Sequence, residues 1–112
     1  NLPYITGEQM VDYINDTDTE LTADNHLMLN TLSQVYDYSH NLFGKGKIGT
    51  RISTRSVIDT LSLIKADFGV RDILDHAILS QYEQDSSTIV NDANILREYA
   101  DSIGVYNSRN NN

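Results

Sequence analysis

The residues best suited to chemistry lie in one short run, Ile52-Ser-Thr-Arg-Ser56, just after a stretch rich in glycine and lysine. Ser53 is a good helix cap, and Arg55 then falls in the first turn of the helix that follows. Free N–H groups and the macrodipole already draw anions to a helix start. An arginine there adds a permanently charged fork of donors that matches the oxygens of a phosphate. The competing use of Arg55 is an ion pair with Asp59, four residues on along the same helix face.

Other candidate chemistries fail on specific residues. Gly44-Lys-Gly-Lys-Ile-Gly-Thr50 resembles a phosphate loop, but Ile48 follows Lys47 where Ser or Thr is needed, and no strand precedes it. Asp16-Thr-Asp-Thr-Glu20 starts like a calcium loop, yet its sixth and twelfth places are Leu21 and Leu27 instead of Gly and Glu. His26, His40 and His76 fall in separate helical stretches without the i, i+4 partner that zinc sites on helices use. There is no cysteine, and no serine has the setting of an activated nucleophile. The seven tyrosines read mostly as core or interface material. The chain therefore carries no complete enzyme active site, no catalytic residue and no metal site by this reading.

Charge is segregated along the chain. The net charge of −8 repels nucleic-acid phosphates, so no direct nucleic-acid binding is expected. Residues 1–43 hold seven acids and no Lys or Arg, and residues 72–112 hold seven acids against Arg97 and Arg109. Between them Lys45, Lys47, Arg51, Arg55, Lys65 and Arg71 face only Asp59 and Asp67. This basic block either pairs with the acidic helices around it or forms a site for an anionic group.

The elements that must position Arg55 are helices. The 112 residues suit one domain over 1–106 with a polar tail at 107–112, and the mean hydropathy of −0.40 argues against a membrane span. Apolar residues recur at helical spacing with no convincing alternation, so the expected class is all-α, a bundle of about five helices. Thr6 and Gln9 form a capping box before a first helix from Gly7 to about Asn15. Thr22 or Asp24 caps a long second helix from about Asn25 to Phe43, burying Met28, Leu32, Val35, Tyr36 and Leu42. Gly44–Thr50 reads as a mobile connector. Ser53 then caps a third helix with Val57, Leu61, Ile64 and Phe68 inward, ended by Gly69. A fourth spans about Arg71 to Gln84 with Leu74, Ala77, Ile78 and Tyr82 inward, and Ser86 or Ser87 caps a fifth that stops before Gly104. Short connections imply antiparallel neighbours.

The order of these elements and the motif Ile52-Ser-Thr-Arg-Ser-Val-Ile58 resemble the C-terminal helical lid of AAA+ ATPases of the MoxR and cobaltochelatase small-subunit type. In that family an x-S-[PT]-R-[ST] motif followed by two apolar residues opens a lid helix. Leu2-Pro-Tyr-Ile5 resembles the segment entering the lid, Tyr38-Ser-His-Asn-Leu-Phe43 with its Gly/Lys linker resembles the long helix and loop, and Asp67-Phe-Gly69 sits at a comparable turn. The resemblance covers roughly residues 2–104. It implies that Arg55 is the sensor-2 arginine, reaching the γ-phosphate of ATP bound with Mg mainly on a core domain. Arg51 is a candidate for a second, looser phosphate or interface contact, one that the family pattern does not specify. It also implies a core domain and neighbouring ring subunits as partners; a cytoplasmic location is expected separately, from the lack of cysteine and of a segment that reads as a secretory signal. Walker A and B motifs, sensor 1 and an arginine finger are absent from these residues. A chain beginning at Asn1 without Met fits an excised or processed piece. The alternative reading is a standalone acidic helical interaction module, viral in one version and then in the host cytoplasm, that binds a basic partner.

Overall fold

The computed structural model describes residues 5–49, 51–79 and 89–104, and these residues form helices and connecting turns with no strand. Helix α1 (Gly7–Thr17) opens with the expected capping box: Gln9 N–H donates to the Thr6 hydroxyl, while the Gln9 side-chain oxygen accepts from Thr6 N–H. Its buried stripe is Gly7, Met10 and Ile14, at the spacing of one helix face. Helix α2 (Ala23–Gly44) starts with a second box, here between Thr22 and Asn25. Asn25 has a further use: its Nδ2 donates to the carbonyl of Ile64, 3.1 Å away, so one buried side chain ties the start of α2 to a distant helix end.

Helix α2 is the centre of the fold and packs against most of the other helices. Leu29, Leu32, Val35, Tyr36 and Leu42 are buried along it, whereas Met28 is only half-buried. Gly7 permits the close crossing of α1 and α2, because a Cβ there would meet Asp37 Oδ2 at 2.6 Å and the Ser33 carbonyl at 2.8 Å. Asp37 uses that proximity, accepting the Gly7 N–H at 2.7 Å and placing a negative charge at the start of α1.

The third expected helix is divided. Helix α3 (Thr54–Asp59) stops at Thr60, whose hydroxyl donates to the Val57 carbonyl at 2.6 Å, and α4 (Leu61–Lys65) resumes beyond it. A buried threonine that turns its hydroxyl back onto the preceding turn competes with the main-chain ladder and breaks the helix here. Helix α4 ends with Phe68 N–H on the Leu63 carbonyl and Asp67 N–H on the Ile64 carbonyl, the paired bonds of a Schellman stop. Asp67 takes the left-handed position, φ 68°, where glycine is usual. The stop removes Phe68 from the Val57–Ile64 stripe, and it is 49% exposed instead of inward.

Helix α5 (Val70–Ile73) follows Gly69 and runs directly into a π-helical turn (Leu74–Ile78), where Leu79 N–H reaches back to the Leu74 carbonyl. The expected continuous α-helix is thus short before it widens. Tyr82, Ser86 and Ser87 lie outside the described residues. Helix α6 (Ile89–Ser102) packs on α2, with Tyr38 and Tyr99 stacked at 3.9 Å, and ends at Gly104, φ 95°. Buried side chains from every segment, Met10, Leu29, Val57, Ile64, Leu74 and Leu96 among them, meet in one core.

Candidate functional site

Arg55 is positioned by contacts made on both sides of it. The Ser53 hydroxyl accepts the Ser56 N–H at 3.0 Å, fixing the first turn of α3. Thr54 is 3% exposed and its hydroxyl lies 3.0 Å from that of Tyr36. Tyr36 spends its one hydroxyl hydrogen on the Ile5 carbonyl at 2.6 Å, so Thr54 is the donor between the two. One step earlier, Ile52 N–H donates to the Ser39 hydroxyl at 3.0 Å, and the Ile52 carbonyl accepts from His40 Nε2 at 2.7 Å. The main chain that presents Arg55 is pinned to α2 at three consecutive side chains of its buried face, and through Tyr36 to the segment leading into α1.

Arg55 itself is exposed, with neither a hydrogen bond nor an ion pair to any described residue. The pairing with Asp59 is not made. Arg51 is different: it is half-buried, with its guanidinium 4.4 Å from the centroid of the Phe43 ring. That cation–π contact makes Arg51 part of the wall between linker and α2, with its fork already occupied on one face.

The linker is tied down more firmly than three glycines suggest. The N–H groups of Lys45, Gly46 and Lys47 return to carbonyls at the end of α2, Gly46 supplies the left-handed residue of the turn at φ 73°, and Ile48 is buried. Gly49 N–H donates to Asp92 of α6 at 2.9 Å. Lys45 and Lys47 are exposed and, like Arg55, have no partner among the described residues. Lys65, by contrast, is bound to Asp18 at 2.7 Å, which draws the Asp18 carboxyl below and the Lys65 ammonium above their ordinary values. The unpartnered cations of the basic block therefore lie between residues 45 and 55. For His40 beside them, burial, reinforced by the charge of Arg51, pushes the pKa below its ordinary value against the bond to Ile52 and the pull of Asp37.

This arrangement can hold an anionic group. Among the described residues no three His, Asp or Glu side chains converge to hold a metal, and in the Asp16–Glu20 turn Asp18 accepts the Glu20 N–H. No helix among them is long and apolar enough to cross a membrane. The positioning roles of Tyr36, Ser39 and His40 escape a reading of motifs, although polar groups at i, i+3 and i+4 within a buried stripe were a usable signal. Comparison with protein-family models, with curated proteins and with solved structures returns no match to this chain.

Proposed function

We propose that this chain is the C-terminal lid subdomain of a MoxR-like AAA+ ATPase, working in the cytoplasm, with Arg55 as its sensor-2 arginine. The observation that carries the reading is the presentation of Arg55: exposed and unpaired at the capped start of α3, on a main chain fixed to α2. A guanidinium in that state keeps its donors for an incoming phosphate and loses no ion pair on binding. Lys45 and Lys47 add a field of the same sign. The residues fit the phosphate end of a nucleotide only; ATP and Mg belong mainly to a core domain, where they supply the phosphoryl bond to be cleaved.

Thr54, standing where the family often has proline, supports the same geometry by another route, since its hydroxyl bond to Tyr36 does the fixing that a proline ring would do. A pull on Arg55 passes through Thr54 and Tyr36 to Ile5, and so to the segment that leads into α1. That connection is how the lid relays the state of the nucleotide to the core and to ring neighbours.

The test has two parts. The complete reading frame should encode Walker A and B motifs upstream, and in that protein Arg55→Ala should lower ATP turnover by at least about tenfold while leaving helicity intact. Arg55→Lys should restore only part, since it keeps the charge and loses the fork. A frame without a nucleotide-binding core, or unchanged turnover, would remove the reading. Glu8, Asp12, Asp16, Glu20 and Asp24, all exposed without ion pairs among the described residues, favour the second reading, an acidic module that binds a basic partner. That reading requires a salt-sensitive complex formed by this chain alone.

A further inference from the structure

Phe68 borders a cleft of about 420 Å³ between α4 and the α5 segment, lined by Leu63, Phe68, Asp72, Ile73, His76 and Ala77. We propose that this cleft docks a peptide segment of another protein, one that offers large apolar side chains flanked by lysine or arginine.

Three observations on separate groups lead there. The first is exposure: Phe68 is half exposed although its helical spacing would have placed it in the core. The Schellman stop accounts for its covered half, since the residue after the left-handed position normally touches the helix three residues before the cap, here Leu63. The exposed half, over an apolar cleft, is what an interaction site leaves open. The second is backbone form. Asp67 is left-handed, a conformation that few residues besides glycine, asparagine and aspartate adopt, and the opposite wall widens into a π turn. Together they set Phe68 and Ala77 on either side of the cleft instead of letting α4 and α5 run on and close it.

The third is charge, and it selects the occupant. Asp72 lines the cleft and Asp67 precedes Phe68, and neither has a partner among the described residues. The neighbouring cations do not neutralise them: Lys65 is bound to Asp18, and Arg71 is engaged in an interaction of its own. An apolar floor beside two unpaired carboxylates complements an apolar anchor with adjacent cations, and repels a segment flanked by acids. The cleft is reached without Arg55, so the proposal does not depend on the lid reading.

The probe is a fluorescein-labelled, roughly 14-residue peptide with leucines at helical spacing and lysines elsewhere, titrated into this chain by anisotropy. Two control peptides replace every lysine by glutamate or every leucine by serine. Saturable one-to-one binding of the Leu/Lys peptide is expected, at least tenfold tighter than either control. Phe68→Ser and Asp72→Lys should each weaken it at least tenfold, with circular dichroism unchanged. Asp12→Asn with Asp16→Asn should leave it unaltered. Absence of binding, equal binding of either control peptide, or indifference to both cleft variants would overturn the proposal. Should Phe68→Ser unfold, the exposed Asp72 still decides it. A concentration-dependent dimer abolished by Asp72→Lys would replace the peptide with a second copy of this chain.

Discussion

Gly7 and Gly44 are both helical, and the difference between them shows how one atom decides a packing distance. At Gly7 an added methyl meets a carboxylate oxygen at 2.6 Å and a main-chain carbonyl at 2.8 Å, and the second cannot swing away as a side chain does. Gly7→Ala must push α1 off α2 and stretch the 2.7 Å bond from Gly7 N–H to Asp37. The expected loss is about 1–3 kcal/mol, the usual range for overpacking a well-filled contact. At Gly44 nothing lies within 4 Å of the added carbon, and its φ is not positive. Gly44→Ala should therefore stabilise by about 0.4–1 kcal/mol, chiefly by narrowing the unfolded ensemble. Urea midpoints of the two variants check both signs; equal effects would mean that the contact at Gly7 relaxes freely.

Between elements, the important joints are side chains of α2 that hold the strand of chain leading into α3. His40 is the one that titrates. Its pKa is lowered in the fold, first by burial and then by Arg51, against the opposing bond to Ile52 and the pull of Asp37. The unfolded chain thus takes up a proton as pH falls through about 6.5 while the folded protein does not, so stability declines over that window and levels off below the folded pKa. Urea midpoints measured from pH 7.5 to 5.5 should fall for the native protein, and His40→Gln, which keeps a donor for Ile52, should flatten the fall. Parallel curves would assign the slope to other groups. The Asp18–Lys65 pair acts lower, its contribution disappearing as pH falls through the depressed carboxyl value below 3.8. Such joints were the least legible part of the sequence. The caps at Thr6 and Ser53 could be read directly and that of the second helix narrowed to Thr22 or Asp24, because a cap is a local bond between residues three apart. The breaks at Thr60 and Asp67 could not, since both lie in a stretch whose apolar spacing runs on unbroken, and there a threonine hydroxyl and a left-handed aspartate override the pattern. Arg55 was visible from its motif; what makes it stand free, Tyr36 reaching both Thr54 and Ile5, depends on residues 18 and 31 positions apart.

For the molecule as a whole the open question is whether its charges hold it together or push it apart. The net charge is −8, and the acidic blocks flank a basic one, so sequence alone allows either sign. The structure supplies the missing term. Lys65 pairs with Asp18 and Arg97 with Asp75, the second at a long 3.4 Å, and solvent screening leaves such pairs little to add. Lys45, Lys47 and Arg55 stay unpaired, as do Glu8, Asp12, Asp16, Glu20 and Asp24 on the acidic side. For these three cations attraction to the acidic blocks is therefore unrealised at short range, while repulsion among the acids acts over the surface. Raising NaCl from about 10 to 150 mM shortens the screening length from about 30 to 8 Å, which weakens long-range repulsion more than contacts at short range. The melting temperature should rise over that interval, and it should rise less in Glu8→Gln with Asp12→Asn, which already removes part of the repulsion. A melting temperature that falls with salt would mean that contacts between the basic and acidic blocks dominate, and would place Lys45, Lys47 and Arg55 among groups that hold the fold instead of groups kept open for a phosphate.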